Sequence, residues 1–261
     1  MPTFRSAWVV CALLAAAAPA HAGELAIDWK IDGAIILGGA LTYVLSASLL
    51  EFAGSETCRW CDVHLNGLDA GVRDALRLGT TDITNFTSHI TAYIIVPGAT
   101  LGLLALAEDT AEPTKRTWVL DATIVVESVV IAANLKEIGK ALAARRRPFV
   151  RFRDPAGETS LEDDDSFFSG HTTIAFAFAT ASGTVAALRG YRSAPALWVS
   201  GLTLAAATGY LRIAADRHYF TDVLAGAVVG SAVGILVPYL HRRGGPRLEV
   251  GPRTVGLAVT W

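Results

Sequence analysis

Residues Tyr219–Leu240 read YFTDVLAGAVVGSAVGILVPYL. After Asp222 this run carries no charged side chain and consists mainly of Val, Ala, Gly and Leu. It shows no strand-like alternation, and as a helix it approaches the roughly 20 residues that cross a bilayer core. Five stretches of the same character precede it: Gly33–Ala53, Ile90–Ala107, Trp118–Leu135, Thr172–Leu188 and Ala196–Leu211. Small residues at this density let helices approach closely, as in membrane bundles. The stretches predict an all-α fold, a six-helix bundle of the multi-pass membrane kind. Alternation appears only at the end, where Arg247–Val250 and Thr254–Trp261 flank Gly251-Pro252-Arg253, a short hairpin or a tail.

Composition agrees. Hydrophobic residues make up 52% of the 261, mean hydropathy is +0.42, and soluble domains run at roughly 45–50% apolar. The net charge of −2 gives no field suited to nucleic acid. Arg5, the apolar Ala7–Ala18, Pro19 and Ala20-His21-Ala22 read as an export signal with its cleavage site. The expected division is a signal over 1–22, a helical domain over 23–241 with its motif core at 140–230, and a C-terminal tail over 242–261. Cys11 leaves with the signal. Cys58-Arg59-Trp60-Cys61 could close a small disulfide in an oxidising compartment. A redox role would need a βαβ context that is not evident, and a zinc site with His64 lacks a fourth ligand. Two polar segments, Gly54–His89 and Ala141–Ser169, are expected as long loops, with the acidic run Glu162-Asp163-Asp164-Asp165 solvated.

Three clusters carry chemistry. Lys140 and Arg147 are seven residues apart, about two helical turns, so they share a face near the helix end that Pro148 enforces. Two cations there could grip a tetrahedral oxyanion. Ser169-Gly170-His171 stands directly before an apolar helix, where backbone N–H groups and a hydroxyl can receive a phosphate and an imidazole can act as general acid. Arg212 is followed by His218 and Asp222, which face the same way at a spacing of four. A carboxylate that fixes one ring nitrogen leaves the other available for attack. If the fourth and fifth stretches form an antiparallel pair, all three clusters lie at one end of the bundle. Charge neutralisation, a nucleophile and an acid are then together, which suits phosphoryl transfer to histidine. No metal cluster is needed for it, and no cofactor is expected.

Lys140-x6-Arg147-Pro148, Ser169-Gly170-His171 and Arg212-x5-His218-x3-Asp222 resemble the three-part signature of the type 2 phosphatidic acid phosphatase family, which also contains bacterial acid phosphatases and vanadium haloperoxidases. The resemblance covers about a third of the chain. It implies that His218 attacks phosphorus, that Asp222 orients and charges it, and that His171 protonates the leaving oxygen and then activates water. It further implies that Lys140, Arg147, Ser169, the Gly170 amide and Arg212 hold the phosphoryl oxygens. The family usually has Pro where Phe168 stands and Ser where Leu211 stands.

The resulting expectation is a metal-independent phosphatase on phosphomonoesters or pyrophosphates, with phosphorylated lipids as substrates and the membrane as its surroundings. A periplasmic acid phosphatase on small phosphomonoesters, a haloperoxidase and an inactive lipid-binding protein are the alternatives. Arg189, Arg192, His241, Arg242 and Arg243 flank the end away from the site, which puts that end in the cytosol and the site in the periplasm. Six spans after a cleaved signal give the opposite sense, unless Gly33–Ala53 does not cross or the chain is a soluble periplasmic bundle. Asp121 and Glu127 inside the third stretch point to buried packing. The sequence is silent on oligomeric state.

Overall fold

The computed structural model describes residues 24–53, 59–60, 65–108, 115–152, 161–243, 246–250 and 255–259. The signal segment, Cys58, Cys61 and His64 lie outside the described residues. Every one of the six apolar stretches is helical. In chain order the helices are α1 Ile31–Ala53, α2 Gly67–Leu76, α3 Thr81–Ile90, α4 Val96–Glu108, α5 Lys115–Ala143, α6 Pro148–Arg151, α7 Gly170–Arg189, α8 Ala194–Ala214 and α9 Phe220–Leu240. A π-helical turn, Thr91–Ile95, joins α3 to α4 without a break. The tail does form a hairpin: β1 Pro246–Val250 pairs antiparallel with β2 Val255–Val259, Pro246 opposite Val259.

Among the described residues, five helices are long and apolar enough to cross a membrane: Thr81–Ala107, Thr117–Arg151 and the helices α7, α8 and α9. Helix α7 is the axis of the bundle, since 83% of its apolar window is buried against 33–39% for the other four. It packs on α5, α8 and α9. The surrounding helices turn Leu37, Leu41, Ile94, Val199, Val228 and Leu236 outward. So large an exposed apolar surface is unfavourable in water and suits a lipid boundary. Helix α1 lies parallel to α5, with Gly39 against Val130 and Asn134. It runs alongside the bundle and is not left out of it.

Close approach of α9 to α7 depends on a glycine row. Gly226, Gly230 and Gly234 recur every four residues, and a Cβ at any of them would run into the backbone or a threonine side chain of α7 or the turn before it. Gly102 on α4 faces open space. A paired measurement follows. In detergent, Gly230→Ala should lower thermal stability by about 1–3 kcal/mol through overpacking. Gly102→Ala should be neutral or raise it by up to about 1 kcal/mol, as alanine normally does in a helix. Equal effects would deny the close approach.

Two expected loops are structured. Within Gly54–His89, Asn66 caps α2 by accepting the Asp69 N–H at 2.8 Å, and α2 is tied down by Arg73, whose Nε and Nη2 meet the Asp216 carboxylate at 2.6 and 2.7 Å. The polar residues of α3 are the head of a spanning helix. The acidic run is not simply solvated either. Asp163 is buried, its carbonyl accepts the Arg147 N–H at 2.8 Å, and Asp164 and Asp165 pair with Arg146 at 3.1 Å and Lys140 at 3.5 Å. The basic triplet beside it supplies the reason.

Candidate active site

Because α7 and α8 are antiparallel neighbours, the three clusters do meet at one end. Lys140 lies in the last turn of α5, Gly170 opens α7, Arg212 lies in the last turn of α8, and His218 precedes α9. The Ser169 N–H donates to the Asp222 carbonyl at 3.1 Å, locking the second cluster to the third. His218 is 3% exposed. Burial first, then the positive charges of Arg212 and Arg147, hold its imidazole well below the ordinary histidine range. A neutral ring with an available lone pair is what attack requires.

The tautomer is set by an unexpected partner. His218 Nδ1 lies 2.7 Å from the Ser166 carbonyl oxygen, so Nδ1 carries the proton and Nε2 the lone pair. The Asp222 Oδ2 is 3.8 Å from Nδ1. The expectation that Asp222 orients His218 directly is therefore corrected. Asp222 accepts the Ser166 hydroxyl at 2.6 Å and the Tyr219 N–H at 2.9 Å, and it pairs with Arg145. It holds the segment that holds the histidine. Its proximity also suits the positive charge that would develop on the ring.

Arg145 is the hub of this support. Besides Asp222 it meets Asp69 at 2.8 Å and the Thr221 hydroxyl at 2.9 Å, and it lies over the Tyr219 ring. Asp69 also accepts the Thr221 N–H at 2.9 Å, so α2 caps α9. Burial pushes the Asp69 carboxyl up, but the hydrogen bonds from Arg145 and Thr221 outweigh it and keep it below its usual range. Breaking such a buried pair from one side costs about 3–5 kcal/mol.

The candidate anion cradle combines the start of α7 with cations. Ser169 and Gly170 are buried there, the Ser169 hydroxyl 2.9 Å from that of Thr172. A Cβ on Gly170 would meet Lys136 Cδ at 2.5 Å, so the glycine lets the Lys136 stem pass beneath the turn. Lys136 is buried, pairs with Glu137 and reaches the Tyr43 hydroxyl at 3.5 Å. Arg212 donates to Asn85 Oδ1 at 2.6 Å and to Ser88 Oγ at 2.9 Å. His171 Nε2 lies 2.8 Å from His89 Nδ1, and Tyr93 meets the His171 ring edge-on at 4.9 Å. One proton is shared between these two imidazoles. Phe168, standing where the family has proline, is 7% exposed. Its ring fills the space beside Gly139, where a Cβ would collide with it. Leu211 sits partly buried on α8 and supplies no hydroxyl. Beside the site a cavity of about 260 Å³ is lined by Trp60, Arg145, Arg146, Arg151, Phe167 and Tyr219 among others.

Sequence reasoning placed all eight signature residues at this end. It missed Asn85, Ser88 and His89, whose i, i+3, i+4 spacing marks one helix face, and it missed Asp69, Arg145 and Ser166, for which no local signal exists.

Residues 121–245 match the family model described as PAP2 superfamily. This part of the chain belongs to the PAP2 superfamily. Over 105 residues the chain is 40% identical to a lipid A 1-phosphatase of Porphyromonas gingivalis, covering 40% of this chain and 22% of that protein. Over 131 residues it is 32% identical to an undecaprenyl-diphosphatase of Sulfolobus acidocaldarius, covering 50% of this chain and 59% of that protein. The chain thus spans less than two thirds of either relative. A crystal structure of a transmembrane PAP2-type phosphatidylglycerolphosphate phosphatase from Bacillus subtilis aligns with a TM-score of 0.49 at 18% identity, over 78% of this chain and 94% of that one. The PAP2 segment begins inside α5 and contains all three clusters.

Proposed function

We propose that the protein is a membrane phosphatase that hydrolyses lipid phosphomonoesters or diphosphates through a phosphohistidine on His218, with no metal ion in the reaction. The observation that carries this reading is the buried His218, with Nδ1 held by the Ser166 carbonyl and Nε2 left to attack, set in the charge of Arg212 and Arg147. In the first step the His218 Nε2 lone pair forms the P–N bond as the P–O bond to the leaving group breaks, and His171 gives that oxygen its proton. In the second, His171 takes a proton from water, the water oxygen attacks phosphorus, and the P–N bond breaks to release phosphate. Lys140, Arg147, Arg212, Ser169 and the Gly170 N–H neutralise the phosphoryl oxygens. Those cations supply the positive charge that a metal would otherwise bring.

Lipid substrates are favoured because the site lies at the end of helices with an apolar outer surface, and because the curated relatives are named for lipid A and undecaprenyl phosphates. The cavity beside Tyr219 would take the part of the head group beyond the scissile phosphate. We place the protein in the inner membrane with the site facing the periplasm, a sense that requires α1, which starts at the end opposite the site, not to cross the membrane from the exported side. The support for this sense is Arg189, Arg192, Arg242 and Arg243 in the short flanks of the other end.

The test is phosphate release by purified protein in detergent with EDTA. Phosphatidic acid, an isoprenyl pyrophosphate and p-nitrophenyl phosphate are the substrates. Release persisting in EDTA, with a lipid preferred, is the expected result. Loss of release on chelation with the thermal midpoint unchanged, restored by a divalent ion, would overturn the metal-free mechanism. Preference for p-nitrophenyl phosphate would move the reading to a small-ester phosphatase.

A further inference from the structure

We propose that Asp32, Glu127 and His241 form a divalent-cation site at the end of the bundle opposite the phosphate site, suited to a transition-type ion such as Zn²⁺ or Mn²⁺. This inference does not rest on the phosphatase reading. Asp32 lies in the first turn of α1, Glu127 within α5, and His241 just after α9. The 21 residues of α9 separate His241 from His218, about 30 Å at 1.5 Å per residue. A role in the phosphoryl step is thereby excluded.

Three observations carry the site. The first is donor geometry. His241 Nε2 lies 3.1 Å from Glu127 Oε2 and 3.5 Å from Asp32 Oδ1, and all three atoms are within 4.8 Å of one another. Donors about 2.1 Å from a common ion stand about 3.0 Å apart in an octahedron and about 3.4 Å in a tetrahedron. The second is orientation. His241 Nδ1 lies 2.8 Å from the Val237 carbonyl and donates to it, which turns the Nε2 lone pair toward the carboxylates. Asp32 Oδ2 accepts the Asp28 N–H at 2.6 Å, which presents Oδ1. Outer contacts of this type fix ligands in metal sites. The third is the burial of Glu127, which is 3% exposed and whose Oε2 meets the His241 ring at 3.1 Å and has no further hydrogen-bond donor among the described residues.

Charge decides between occupants. Two buried carboxylates beside one imidazolium leave a net charge of −1, a costly state away from water. Two carboxylates, a neutral imidazole and a divalent ion sum to zero. Imidazole with two carboxylates is a mixed nitrogen and oxygen set, which suits Zn²⁺ or Mn²⁺ better than Ca²⁺. Water at the bundle end, where the His241 side chain is 10% exposed, would complete the coordination. The ion would pin α1, α5 and α9 together.

The test uses the full chain in detergent, stripped with chelator and titrated with Co²⁺, whose visible absorption reports nitrogen and oxygen ligation. One Co²⁺ per chain, displaced by Zn²⁺, is expected, together with a higher thermal midpoint in the loaded form. Asp32→Asn and Glu127→Gln should each weaken binding at least about tenfold. A variant with Cys58→Ser and Cys61→Ser should bind as the parent does, which removes the thiols as an alternative site. Asp32→Asn is the reading to use if Glu127→Gln fails to fold. No Co²⁺ bound by the stripped parent, or equal binding by a folded Asp32→Asn variant, would overturn the proposal and leave an imidazolium–carboxylate network only.

Discussion

Replacing His218 with glutamine should lower phosphate release by about 10⁴-fold or more, the scale on which loss of a covalent nucleophile acts. Glutamine is close to histidine in size, and its amide nitrogen can still donate to the Ser166 carbonyl, so the packing around the ring should survive. What is lost is the Nε2 lone pair. The residual rate comes from the cradle alone, because the cations and the α7 amides still polarise phosphorus toward water. The parent's circular dichroism and thermal midpoint should be nearly retained. Binding of inorganic phosphate or vanadate should also persist, since Arg147, Arg212 and Ser169 are untouched. A variant that releases phosphate within tenfold of the parent would place the nucleophile elsewhere.

The second large effect is at His171. His171→Asn should slow release from a lipid phosphate by about 10² to 10⁴-fold, the usual worth of a positioned general acid. The loss should be much smaller for the first step with p-nitrophenyl phosphate, whose leaving group departs as an anion and needs no proton. This split separates acid catalysis from mere packing. A damaged pocket would slow both substrates alike. His89 shares a hydrogen bond with His171 at 2.8 Å, so it bears on the orientation of that ring. Equal slowing of the first step for both substrates, read in a single turnover as release of the leaving group, would deny His171 the acid role.

Much of this was legible in the sequence, because membrane helices and the signature both speak locally. The stretch Tyr219–Leu240 became α9 within one residue at its start, since apolar runs end where charge begins. Helices whose polar ends enter the site were read short. Ile90–Ala107 extends back to Thr81, because Asn85, Ser88 and His89 look like loop until Arg212 and His171 are set beside them. Trp118–Leu135 extends to Ala143 for the same reason: Lys136 and Lys140 face inward to the site. Helix α2 was missed because it is only ten residues long and holds Gly67 and Gly71, although Leu68, Val72 and Leu76 recur every four residues. Its stability comes from Asp216, 143 positions after Arg73. Ser166 was invisible since it meets His218 through a backbone carbonyl, which any residue carries, and its hydroxyl finds Asp222 only 56 positions later. The cluster of Asp32, Glu127 and His241 likewise exists only once three distant elements are packed.

The central claim is a phosphoryl group carried on His218. The direct measurement is to quench the His171→Asn variant in alkali during turnover of p-nitrophenyl phosphate and map phosphorylated peptides by mass spectrometry. In that variant the first step remains fast and water attack is slow, so the intermediate should accumulate. The account predicts an alkali-stable, acid-labile phosphate on His218, absent when His218→Gln is added. Turnover by the variant with no phosphate on His218 at any time point, or phosphate found on another residue, would contradict it.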